Sequence, residues 1–159
     1  MLDDPNTSNH HILLRRPPVN GQILYLAHDD NSRIVFSSLA EFLACAERAK
    51  IENLSIPELH PPISPVAPDQ AELSNAIRTL IAEDQVDVVL ALVPSMDLSD
   101  NALLAELLGH DDFFLGEAVA EAIRTRPSVA LAALARQCAE HPHPQVARAG
   151  QRALAACAK

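Results

Sequence analysis

The chain has 159 residues, 48% hydrophobic and 21% charged, with a net charge of −9: a globular composition with an acidic bias. That balance argues against a nucleic-acid binder, whose affinity comes from Lys and Arg neutralising phosphates, and it suits a basic partner. No apolar run approaches the roughly 18 residues of a membrane span, and Met1-Leu-Asp-Asp-Pro5 lacks the charge and apolar stretch of a signal peptide, so a cytoplasmic protein without membrane contact is expected.

The first elements are short. His11-Ile-Leu-Leu14 runs up to Pro17-Pro18 and reads as a strand; Ile23-Leu-Tyr-Leu26 and Arg33-Ile-Val-Phe36, joined by the polar stretch His28–Ser32, read as an antiparallel hairpin. Ser38 and Glu41 form a capping box ahead of Leu39, Phe42, Leu43 and Ala46, which recur at helical spacing. Residues 1–56 are thus an α+β module of three strands and a helix. Pro57, Pro61, Pro62, Pro65 and Pro68 then mark 57–68 as a stiff linker.

The run Ile12-Leu-Leu-Arg-Arg-Pro-Pro-Val-Asn-Gly-Gln-Ile-Leu-Tyr-Leu-Ala-His-Asp-Asp30, with Arg33-Ile-Val-Phe-Ser-Ser-Leu-Ala-Glu-Phe-Leu43, resembles the C-terminal portion of SUKH-superfamily domains. That group contains fungal cell-wall assembly regulators and bacterial toxin-immunity proteins. The resemblance spans about 11–47 and implies toxin immunity by family. Arg15-Arg16 stand where the family often has an acidic residue, and the N-terminal half of the family's domain has no counterpart here. A shortened sheet of this kind is expected to lean on the helical part or on a second copy, pairing through its strands.

From 69 to 159 the chain repeats itself at a shift of 31 residues. Ala91, Ala122 and Ala153 share a column, as do Leu92, Ile123 and Leu154; His110 falls on His141, Leu107 on Cys138 and Leu115 on Val146. Each of three copies carries helical apolar stripes broken near Asp84, at 109–112 and at 141–144, which predicts three helix pairs stacked as a solenoid. The whole chain is expected to be mainly α. Ala and Gly in the second helix of each pair allow a close neighbour. The phrases His141-Pro-His-Pro-Gln-Val-Ala-Arg-Ala-Gly-Gln-Arg-Ala-Leu154 and His110-Asp-Asp-Phe-Phe-Leu-Gly-Glu-Ala-Val-Ala-Glu-Ala-Ile123 resemble HEAT-type repeats, although Glu117 and Glu121 stand where that pattern takes Arg. The resemblance implies protein binding along a solenoid face.

Charge is bipolar along the repeats. Residues 69–123 hold twelve acids against Arg78, a balance of −11, whereas 124–159 carry +5. The expected partner-binding residues lie in the acidic part: Asp87, Asp111, Asp112, Glu117 and Glu121. Catalytic signals are weak. No Gly-x-Ser-x-Gly elbow exists, and Gly21, Gly109, Gly116 and Gly150 cannot form a phosphate loop. His28-Asp29-Asp30, His110-Asp111-Asp112 and His141-Pro-His143 are poor metal sets because such neighbours do not converge on one ion. Cys45, Cys138 and Cys157 have no CxxC spacing and read as reduced thiols. No cofactor or metal and no enzymatic activity is expected; a lyase or hydrolase using His110 or His141 is the weaker enzymatic option. The expectation is a bacterial immunity protein that neutralises a basic toxin, and the alternative is a scaffold or regulatory adaptor without a toxin partner.

Overall fold

The computed structural model describes residues 1–2, 8–29 and 31–158, so residues 3–7 (Asp3-Asp4-Pro5 among them), Asp30 and Lys159 lie outside the described residues. The N-terminal module is a three-stranded antiparallel meander, β1 (His10–Leu13), β2 (Ile23–Leu26) and β3 (Arg33–Phe36), followed by α1 (Leu39–Glu52). His11 sits opposite Tyr25, and Leu24 opposite both Ile12 and Ile34. Ile23 pairs with Phe36 while Leu24 pairs with Ile34, which leaves Val35 as an extra, bulged residue in β3. The bulge places Ile23, Val35 and Phe36 together under Phe42 of α1, and sends Ile34 to the other side of the sheet.

Ser38 caps α1, its hydroxyl accepting from Glu41 N at 3.2 Å. The Glu41 carboxylate closes the motif on Ser37 N at 2.9 Å, one residue earlier than a standard capping box places it. The apolar stripe expected on α1 is buried only in part. Phe42 and Ala49 are covered, whereas Leu43 is 57% and Ile51 77% exposed. The sheet face under α1 is narrow, and His11, His60 and Ile56 already fill it.

Six helices complete the chain as three antiparallel pairs: α2 (Gln70–Ala82) with α3 (Val86–Leu92), α4 (Asn101–Leu108) with α5 (Phe113–Thr125), and α6 (Ala132–Ala139) with α7 (Pro144–Cys157). First helices begin 31 residues apart throughout. Asp69 and Asp100 cap α2 and α4 with the same hydrogen bond, to Glu72 N at 2.8 Å and Leu103 N at 3.0 Å. The second and third pairs also share their turns: His110 Nδ1 accepts from Asp112 N and His141 Nδ1 from His143 N, both at 3.0 Å. The first pair departs from this pattern. Its turn comes later in the frame, with Asp84 in a left-handed conformation, so α2 is long and α3 short.

One apolar core runs through all three pairs, with Leu73, Ile77, Leu103, Leu104, Leu107, Leu115, Ile123 and Val146 fully covered, and it takes in Ile34 and Val19 from the N-terminal module. The sheet therefore leans on the helices, with β3 against α3. Residues 57–68, expected as a linker, cross this junction held by several hydrogen bonds. Arg33 Nη2 donates to Pro61 O at 2.6 Å, Ala67 N to Ser95 O at 3.0 Å, and Arg126 donates to both Ser64 O and Pro94 O. Among the described residues no helix is long and apolar enough to cross a membrane. The three cysteines are free thiols, and burial pushes Cys138 up to about 11.

Candidate functional site

Five carboxylates were expected to meet a partner. Four of them come together on the α4–α5 turn and α5, and Asp87 sits apart, exposed in the first turn of α3. Asp111 is exposed in the turn. Asp112 is the N-cap of α5, its Oδ1 accepting from Phe114 N at 2.9 Å, so its charge already serves the helix terminus. Phe114 and Glu117 are three residues apart on α5 and Glu121 four further on, a spacing that lines the three along one helix face.

Glu121 is fully engaged within the fold. Its Oε2 accepts from Arg124 Nε and its Oε1 from Arg152 Nη2, each at 2.5 Å. Burial raises the Glu121 carboxyl pKa, but the two guanidiniums outweigh it and hold the group below the usual range. Arg152 belongs to the basic end of the chain, so the two charge poles read in the sequence meet at this residue. Arg78 joins the first and second pairs in the same way, reaching Asp100 at 3.0 Å and Glu106 at 3.4 Å.

The acids of 69–123 thus divide by use. Asp69, Asp100 and Asp112 cap helices, Asp97 accepts from Ser99, and Asp100, Glu106 and Glu121 hold arginines. Among the described residues Glu72, Glu83, Asp84, Asp87, Asp111 and Glu117 have no side-chain hydrogen bond or ion pair, and these carry the negative potential that faces solvent.

The edge that holds Asp111 also carries an aromatic feature that the sequence reading passed over. Phe113 stacks on His143 with ring centroids 3.7 Å apart and planes 17° from parallel, which sets the α4–α5 and α6–α7 turns side by side. Phe114 lies 4.2 Å from Phe113 and stays 49% exposed. The signal was present in the spacing: Phe114 falls one position before Leu115, off the buried stripe of Leu115, Val119, Ala122 and Ile123. His110 and His141 each use Nδ1 to accept a backbone N–H, which leaves Nε2 to carry the proton of the neutral ring. Among the described residues no three His, Cys, Asp or Glu side chains group closely enough to hold a metal ion.

The edge therefore offers a half-exposed aromatic ring, Phe114, on the same turn-and-helix segment as two carboxylates, Asp111 and Glu117, that no cation neutralises among the described residues. Such a surface is suited to recognition of a protein with both apolar and cationic groups. No protein-family model, no curated protein and no solved structure matches the chain.

Proposed function

We propose that the chain is a cytoplasmic protein-binding module of the bacterial immunity type, which binds a basic toxin and neutralises it. The observation that carries the reading is the α4–α5 edge, where Asp111 and Glu117 lie unpaired beside half-exposed Phe114. The resemblance of 11–47 to SUKH domains supports the immunity class, and that of the three helix pairs to HEAT-type repeats supports recognition along a helical array. Asp111 and Glu117 supply steering and Phe114 the apolar anchor, while Asp112 and Glu121 stabilise the surface that presents them.

The test is capture of partners by the tagged chain at low salt, elution at about 0.5 M salt, and co-expression of the chain with the eluted protein. A basic protein whose toxicity to cells is lost on co-expression, and whose binding falls with Asp111→Lys and Phe114→Ala, supports the reading. Partners that bind equally well with both variants overturn it.

A scaffold or adaptor without a toxin partner is the second reading, favoured by the outer face of α1. Leu43 and Ile51 are exposed there and give the N-terminal module a surface for joining copies of the chain. A dimer lost on Leu43→Glu, with no toxin captured, selects this alternative.

A further inference from the structure

The β1–β2 connection and the first helix pair enclose a groove of about 610 Å³. Leu14 and Val19 line one wall and Leu80, Val88 and Leu92 the other; eleven of its thirteen lining residues are apolar, and the two exceptions are Arg15 and Arg16. Both arginines are exposed, neither forms an ion pair among the described residues, and among those residues no carboxylate lines the groove.

The wall that carries the arginines is held in shape. Leu14 N donates to Gln22 O and Gly21 N to Leu14 O, both at 2.9 Å, and Gln22 N donates to Val19 O at 3.1 Å. Gly21 turns the chain at φ +85°, a conformation that side-chain-bearing residues rarely adopt. The loop 15–20 is thereby closed at its base, and the arginines project from a fixed support.

Ligand sites of about 300–1,000 Å³ are mostly apolar, contain a few orienting polar groups and favour the junctions between structural units. This groove meets each condition, and its charge selects the ligand. On a chain of net charge −9, a cleft whose charged lining groups are two guanidiniums repels cations and attracts one anionic head, which a guanidinium binds through paired N–H donors. We propose that the groove binds an aliphatic carboxylate, its chain lying between Val19 and Leu92 and its head group on Arg15 and Arg16. This site is independent of the acidic α4–α5 edge and does not rest on the immunity reading.

The experiment titrates the full chain with dodecanoate, dodecyl phosphate and dodecanol below their micellar concentrations, by calorimetry, against the parent, the double variant Arg15→Gln with Arg16→Gln, and Val88→Asp. Val88 is 43% exposed, so an aspartate there leaves the fold intact while placing a like charge in the groove. Dodecanoate is expected to bind one-to-one to the parent and at least tenfold more tightly than dodecanol, with that advantage removed in the double variant and binding lost in Val88→Asp. Absence of saturable dodecanoate binding, or equal affinity in parent and both variants, overturns the proposal. Dodecyl phosphate binding tenfold more tightly than dodecanoate overturns the carboxylate assignment.

Discussion

Glu121 Oε1 accepts from Arg152 Nη2 at 2.5 Å, and the two residues are 31 positions apart, the period of the internal repeat. Equivalent places on α5 and α7 carry opposite charges, so stacking one pair on the next brings them together. The Glu121 side chain is one-third exposed and the Arg152 side chain more than half, which limits the pair to about 0.2–1 kcal/mol. A double-mutant cycle of Glu121→Gln and Arg152→Gln in chemical denaturation is expected to give a coupling energy in that range, shrinking as salt rises. A coupling of zero at low salt would mean that packing alone sets the stacking.

The glycines of α5 and α7 differ in what surrounds them. A Cβ on Gly150 would lie 2.2 Å from Ala139 N and 2.3 Å from the Cys138 carbonyl carbon, both backbone atoms of α6. A Cβ on Gly116 meets side-chain atoms of Val146 and Leu108 at 3.3 and 3.4 Å. Gly150→Ala is therefore expected to destabilise the fold by about 3 kcal/mol or more, since two helix backbones must separate. Gly116→Ala gains up to about 1 kcal/mol of helix propensity against a small repacking cost and stays near neutral. Thermal melts of the two variants check the ordering.

His60 gives stability a dependence on pH. His11, 1% exposed, meets it Nε2 to Nε2 at 2.8 Å, with Tyr25, Phe36 and Phe42 around the His11 ring. Burial, then the His11 and Arg33 charges, lower the His60 pKa from 6.5 to about 4. The unfolded chain takes up this proton first as pH falls, so stability is expected to be full above about 6.5 and to decline toward about 4. The loss is of the order of 1–3 kcal/mol. Denaturant midpoints across that range should show the slope, and His60→Phe should flatten it; an unchanged slope in the variant assigns the effect to other groups.

Arg126 is the fastening of the junction. Its guanidinium donates to Pro94 O at 2.7 Å and to Ser64 O, and Arg126→Met leaves both carbonyls without that donor. Hydrogen bonds from a charged donor are each worth about 1.5–3 kcal/mol, so the variant is expected to lose about 2–4 kcal/mol after partial replacement by water. Hydrogen exchange should accelerate first at Ala67 N, which donates to Ser95 O beside the broken contacts.

Periodicity carried most of the architecture. The 31-residue register placed the buried Ala91, Ala122 and Ala153 and the matching breaks within the second and third pairs, because a stacked repeat writes the same contact at the same spacing. The strands were legible from β-branched and aromatic runs, but the Val35 bulge was not, since it is set by which core each side chain joins. Arg126 shows the same limit: nothing local marks the arginine that ends α5 as the donor to carbonyls 32 and 62 residues earlier. In the candidate edge, acid composition pointed to Glu121, yet its neutralisation by Arg152 appears only when α7 is stacked on α5.

The Ser64–Arg126 contact also bears on how the chain comes off the ribosome. The carbonyl is made 62 residues before the guanidinium that holds it. At roughly 5–20 residues per second the clasp arrives roughly 3–12 s after Ser64, and α3, on which β3 packs, is complete 34 residues before Arg126, so the sheet rests on α3 unfastened until then. In that interval the nascent module is a natural client for a holding chaperone. Slow codons placed after position 126, rather than after 68, would give the sheet time to seat.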